Sequence, residues 1–98
     1  MKKLATTDWE SLKEPSLVKF GIEGCMPCFM AEETLKEIEP NFPNVNFYVN
    51  DDTDLMASLG IESMPVIYII KGESRERINA YECLDELEEI ITTKFEKE

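Results

Sequence analysis

Residues 66–70 read Val-Ile-Tyr-Ile-Ile, five apolar residues with no polar interruption. A strand with one wet face alternates apolar and polar residues; a continuous run is the pattern of a strand covered on both faces. Such a strand needs elements packed above and below it, so the chain must build a sheet with two covered sides. The chain has 98 residues, the size of one domain, expected over 1–98. Its 43% apolar and 32% charged residues are a globular composition, not a disordered or fibrous one.

The rest of the chain supplies the covering elements. Lys2 to Thr6 is readable as a short edge strand. Thr7-Asp8-Trp9-Glu10 fits a capping box with Thr7 as N-cap, so a short helix is expected to about Lys13, stopped by Pro15. Ser16 to Ile22 is strand-like. Phe29, Met30, Thr34, Leu35 and Ile38 then recur at helical spacing, with Glu32, Glu33, Lys36, Glu37 and Glu39 on the other, solvated face, until Pro40 and Pro43. Val45 to Val49 is the next strand. Asp52 or Thr53 caps a helix through Leu59, with Gly60 at its C′ position. After the apolar run, Lys71-Gly72-Glu73-Ser74 turns the chain into an antiparallel strand from Arg75 to Asn79. A last helix is expected from Cys83 to Phe95, with Leu84, Leu87, Ile90, Ile91 and Phe95 on one stripe. Alternating strands and helices demand parallel crossovers, and the final hairpin adds an antiparallel pair. The expected class is α/β, a central mixed β-sheet flanked by helices on both faces.

Charge and composition then exclude whole classes of function. Ten Lys and Arg against 21 Asp and Glu give a net charge of −11, which repels phosphate backbones and anionic lipid, so neither nucleic acid nor membrane is an expected partner. No stretch approaches the apolar length of a membrane span. The opening residues carry two lysines but no apolar run like that of a signal peptide, so the expected location is cytoplasmic. There is no His, which removes Ser-His and Cys-His catalysis and every metal site that needs imidazole.

What remains is thiol chemistry. Cys25-Met26-Pro27-Cys28 joins a strand end to a helix start. The first Cys stands where unpaired backbone N–H groups and the helix dipole favour a thiolate, and such sites lower a thiol pKa from about 8.5 to roughly 3.5–7.5. Pro27 suits the first helical turn, where its missing N–H is not needed. The spacing lets the two sulfurs bond. A zinc or iron–sulfur site would need further ligands, and only Cys83 and carboxylates remain to supply them. No bound cofactor or metal is expected.

At this point the sequence resembles the thioredoxin family. Gly24-Cys25-Met26-Pro27-Cys28 looks like its active-site loop. Gly60-Ile61-Glu62-Ser63-Met64-Pro65, before an apolar strand and Lys71-Gly72, looks like the segment that carries its cis-proline. The resemblance covers nearly the whole chain, with a shortened N-terminus. It implies a thioredoxin fold and a thiol–disulfide oxidoreductase, with Cys25 and Cys28 as the catalytic dithiol. It also implies a cis Met64–Pro65 bond facing the dithiol. Gly24, Met64, Pro65 and Ala80 would be substrate-binding positions, with Ala80 in a second contacting loop. The implied partners of such a monomer are disulfide-bearing proteins and a thioredoxin reductase, flavin- or ferredoxin-dependent.

Three departures from the family pattern bear on function. Gly24 stands where a Trp is usual, and Trp9, the one Trp, is expected to pack in the N-terminal segment. Met26 with Pro27 replaces Gly-Pro inside the motif and puts an adaptable apolar side chain beside the nucleophile. Lys19 stands where a buried Asp is usual, and Tyr48 where a Lys normally faces that Asp. Lys19 is read as a tuner of Cys28, either as a neutral amine that accepts a proton or as an ammonium that stabilises a thiolate. The plainer reading is that it snorkels to solvent, with Glu23 as a nearby partner. Glu33 replaces the helix-bending Pro, so a straighter helix is expected. Cys83 reads as a small packing residue, with a regulatory thiol as the alternative. Two other functions fit the residues less well: a glutaredoxin-like enzyme, and a binding or regulatory module with an idle dithiol. An oxidase or isomerase uses the same chemistry at another potential.

Overall fold

The apolar run becomes β4 (Val66–Lys71), whose first five residues are all buried. It pairs antiparallel with β2 (Ser16–Phe20), from Ser16 opposite Ile70 to Phe20 opposite Val66. The coordinates, a computed structural model, describe residues 1–96. The other strands are β1 (Lys2–Lys3), β3 (Asn46–Asn50) and β5 (Ser74–Ile78), and the sheet order is β1-β3-β2-β4-β5. β1 and β2 run parallel to β3, and β5 pairs antiparallel with β4. The helices are α1 (Met26–Ile38), α2 (Thr53–Ser58) and α3 (Leu87–Glu96). This is the α/β mixed sheet of a thioredoxin fold.

Each face of the sheet has its own core. Alternate residues of β2, β3 and β4 (Leu17, Phe47, Ile67 and Ile69) meet Ala31, Leu35 and Ile38 of α1 and Leu87, Ile91 and Phe95 of α3. The intervening residues Val18, Phe20, Val66, Tyr68 and Ile70 meet Met56 of α2 and Leu4, Trp9 and Leu12. Trp9 sits edge-on to Phe20 and Tyr68, with centroids 5.2 and 5.1 Å away, the preferred geometry for aromatic pairs.

Several local expectations are corrected. The N-terminal segment is a 3-10 turn over Thr6–Asp8 with Ala5 at its N-cap and no capping side chain, so Thr7 and Glu10 form no capping box. The carbonyls that follow the turn have a distant partner: Arg75 on β5 donates to the Trp9, Glu10 and Leu12 carbonyls and stacks 4.5 Å from the Trp9 ring centroid. The strand ahead of it is only Lys2–Lys3. The last helix starts at Leu87, not Cys83; 3-10 turns at Ala80–Glu82 and Leu84–Glu86 precede it. Four acidic residues over 82–88 put much negative charge near a helix start, yet Cys83 adopts φ −141° and ψ 37° and interrupts the helix. Asp52 does cap α2, accepting from the Asp54 and Leu55 N–H groups, and α1 runs unbroken past Glu33.

The Arg75 contacts predict a measurable loss. Arg75→Ala should lower unfolding free energy in urea by about 1–3 kcal/mol, because carbonyls bonded to a charged donor lose it. Arg75→Lys should recover only part of that, since an ammonium cannot reproduce the planar guanidinium stack on the Trp9 ring.

Candidate active site

The chain leaves β2 at Phe20 and must reach the first turn of α1 within five residues. Two glycines make that path possible. Gly24 has φ +81°, a left-handed conformation that strains any residue with a Cβ. Gly21 needs space rather than conformation. A Cβ there would lie 2.8 Å from Cys28 Sγ and 3.2 Å from Lys19 Cε. The Gly21 N–H is held by the Asn50 carbonyl of β3 at 3.2 Å.

Helix geometry then separates the two sulfurs. Cys25 is the N-cap of α1, with extended backbone, and its Sγ accepts from the Cys28 N–H at 3.2 Å. Met26 and Pro27 occupy the first two helical positions, and Cys28 the third. Cys25 is half-buried, whereas Cys28 is 1% exposed. The two form a disulfide with Cα atoms 5.2 Å apart. An accessible sulfur at the helix N-terminus beside a sealed one suits a nucleophile and a resolving thiol.

Beside the disulfide lies a groove of about 600 Å³, lined by both cysteines and by Lys19, Gly21, Phe29, Glu32 and Asn50 among others. Lys19 does not snorkel: its side chain is 7% exposed and its Nζ donates to Glu32 Oε1 of α1 at 3.1 Å. Glu32, not Glu23, is thus the partner. Tyr48 does not face Lys19 either; it is in register with Val18 and packs on the opposite side of the sheet. Glu32 also faces Lys36 at 3.4 Å. Burial alone would raise the Glu32 carboxyl, but hydrogen bonds and charge from Lys19, then Lys36, outweigh it and hold it below its ordinary value.

The Met64–Pro65 bond is cis, as the resemblance implied. Pro65 is buried and Met64 half-buried. Because Val66 pairs with Phe20, this segment reaches the same end of the sheet as the loop to Cys25. Among the described residues no hydrogen bond engages the Met64 N–H or carbonyl. Ala80 reaches that end as well, since Ile78 pairs with Ile67, but its side chain is 0% exposed and packs in the core. The turn presents Tyr81 and Glu82 to solvent.

The apolar stripe of α1 is also corrected. Cys28, Ala31, Leu35 and Ile38 are buried, while Phe29 and Met30 face outward with Met26 and Ile22, the last at the groove's rim. Sequence periodicity missed Gly21 and placed Glu32 on a solvated face. Cys83 is half-buried, its thiol weakly donating to the Asn79 carbonyl. Burial, then the charges of Glu86 and Glu82, push that thiol up, which opposes the thiolate a regulatory site needs. Among the described residues no cluster of three Cys, His, Asp or Glu can hold a metal. No helix among them is long and apolar enough to cross a membrane.

A mixed sheet with a dithiol at the N-terminus of α1 and a cis-proline segment at the same sheet end defines a thiol–disulfide exchange protein. The thioredoxin family model matches residues 2–93, and the chain belongs to the thioredoxin family. Its fold is similar to oxidised mitochondrial thioredoxin 3 of Saccharomyces cerevisiae, with TM-score 0.77 and 20% identity over 95% of this chain and 93% of that one. It is similar to Fasciola hepatica thioredoxin at TM-score 0.70 and 22% identity, covering 89% and 86% of the two chains. A third similar chain, at TM-score 0.77 and 19% identity over 95% and 93%, comes from a structure described as the thiol-resolving mechanism of a yeast mitochondrial 1-Cys peroxiredoxin via glutathione and thioredoxin systems. No curated protein sequence matches the chain.

Two predictions follow from the geometry. Gly21→Ala should destabilise the oxidised protein by about 1–3 kcal/mol, seen as a lower urea midpoint, because its Cβ meets a sulfur with no room to retreat. Glu32 has a folded pKa below its unfolded one, so its share of stability is complete above the unfolded value. That share is lost as the pH falls through the folded value. Glu32→Gln should therefore flatten the acid side of the stability–pH curve.

Proposed function

We propose that the chain is a protein-disulfide reductase that works as a monomer in a reducing cytosol, within a single domain. The observation that carries this is the pair of sulfurs of unequal exposure at the N-terminus of α1. Cys25 is the nucleophile. Its thiolate attacks a substrate disulfide; that bond breaks, a Cys25 mixed disulfide forms, and one substrate thiolate leaves and takes a proton. Cys28 then loses its proton and attacks Cys25 Sγ, which expels the second substrate thiolate. The substrate disulfide gains two electrons and the Cys25–Cys28 pair loses them.

The remaining site residues divide by position. Pro27 stiffens the first turn of the helix, and Met26, 66% exposed, lies beside the nucleophile as an adaptable apolar contact. Gly24 keeps the approach to Cys25 open. Met64, positioned by the cis bond to Pro65, offers backbone groups to an extended substrate segment, and the turn at Ala80 borders the same end. Lys19 tunes Cys28. Disulfide-bearing proteins are the substrate class; one similar structure is described with the thiol-resolving mechanism of a 1-Cys peroxiredoxin. A thioredoxin reductase, flavin- or ferredoxin-dependent, restores the dithiol and places the chain in cellular electron transport.

Insulin reduction tests this reading. Wild type with a dithiol donor should precipitate insulin, and Cys25→Ser should abolish turnover. Cys28→Ser should accumulate a mixed disulfide on Cys25, seen by mass spectrometry. No turnover with any thiol donor would overturn the reductase reading. Turnover only with glutathione would favour a glutaredoxin-like enzyme.

A further inference from the structure

The dithiol cycle leaves open how Lys19 acts on Cys28 and what task Glu32 has in the groove. Cys28 must lose a proton before it attacks Cys25, yet it is 1% exposed. Burial disfavours a thiolate unless a positive charge stands close by.

Lys19 provides that charge. It lies on the α1 face of β2, two residues before Gly21. Its Cε and Cys28 Sγ approach the same point above Gly21, at 3.2 and 2.8 Å, so they lie within about 6 Å of each other, and the ammonium, one bond beyond Cε, stands at the border of the roughly 4–6 Å range where opposite charges act strongly. The ammonium is sealed, with 7% of the side chain exposed, so solvent screens it little. Glu32 stands one helical turn after Cys28 and binds that ammonium through Oε1, while its Oε2 faces Lys36. Flanked by two cations, Glu32 is a weak base and a poor acceptor for the thiol proton. The other charges at the groove are Lys3, Asp51 and Glu23. Lys3 and Asp51 are exposed and face each other at 3.8 Å, and Glu23 is exposed, so water screens all three.

We propose that the Lys19 ammonium stabilises the Cys28 thiolate in the resolving step, and that Glu32 is the positioning residue that holds this ammonium in the groove and moderates its charge. The proposal rests on the reductase reading above. The proton of Cys28 passes to water at the groove mouth, and Cys28 then forms the bond to Cys25 as the substrate thiolate departs.

The test is a titration that needs no turnover. In a Cys25→Ser, Cys83→Ser background, Cys28 is the remaining thiol, and thiolate absorbance near 240 nm follows its ionisation. Lys19→Met should raise the midpoint by roughly one pH unit or more. Glu32→Gln, which keeps a hydrogen-bond acceptor but removes the negative charge, should lower it. Lys19→Arg should leave it near the parent value. Opposite shifts for Lys19→Met and Glu32→Gln support the proposal; no shift, or shifts in one direction, overturn it, as does Lys19→Arg behaving like Lys19→Met. Thermal melts identify any variant that fails to fold, in which case Lys19→Gln replaces Lys19→Met with the same expected rise. A wild-type protein that reduces no disulfide, while Cys28 titrates as described, overturns the reductase reading alone.

Discussion

The antiparallel pairing of β2 with β4 is the constraint on which the site depends. The five register pairs from Ser16–Ile70 to Phe20–Val66 bring together two segments far apart in sequence. One strand exits and the other enters at the same sheet end. The loop to Cys25 leaves there, and the Met64–Pro65 segment arrives there. β3, parallel to β2, ends at the same edge and contributes Asn50, whose carbonyl holds Gly21. Parallel strands need a crossover, and α1 is that crossover. Its N-terminus therefore opens at the edge where the strands end, the usual place for a site in such a sheet.

From that placement the inequality of the two cysteines follows. An N-cap residue lies outside the helix and the third residue lies on its first turn. With the helix packed on the sheet through Ala31, Leu35 and Ile38, the third position turns inward and the cap stays at the rim. Gly21 completes the arrangement, because any side chain there would occupy the space of Cys28 Sγ. The chemistry of two identical thiols is thus divided by backbone geometry before any charge acts.

The order of elements and the dithiol at a strand–helix junction were legible because each rests on local pattern: a double-covered strand, punctuating prolines, a cap-to-third-residue spacing. The misreadings arose where a long-range partner decided. Phe29 and Met30 fit a helical apolar stripe, but the sheet accepts the small Ala31 and Cys28, and the larger residues face out beside the nucleophile. The N-terminal segment is anchored not by a local capping box but through its carbonyls, to which Arg75, 63 to 66 residues away, donates. Glu32 was indistinguishable from its acidic neighbours by spacing alone. Only the burial of Lys19 across the groove separates it from a solvated face. The cis bond at Pro65 came from resemblance to a family and from no property of the residues themselves.

The pairing of buried Lys19 with half-buried Glu32 also resists explanation by stability alone. Taking an ammonium out of water costs several kcal/mol, and a carboxylate partner offsets this only in good geometry. Apolar residues of similar volume often match or exceed such a pair in stability. The neighbours of Lys19 across the sheet, Val49 and Ile67, are apolar, a setting that favours an apolar side chain over an ammonium. A fold in need only of a core would have no use for an ammonium at this position. The cation stands instead beside Cys28, a sulfur that burial would otherwise keep protonated. Its counterion comes from the same helix as that sulfur, so the two groups stay in a fixed relation as the dithiol opens and closes.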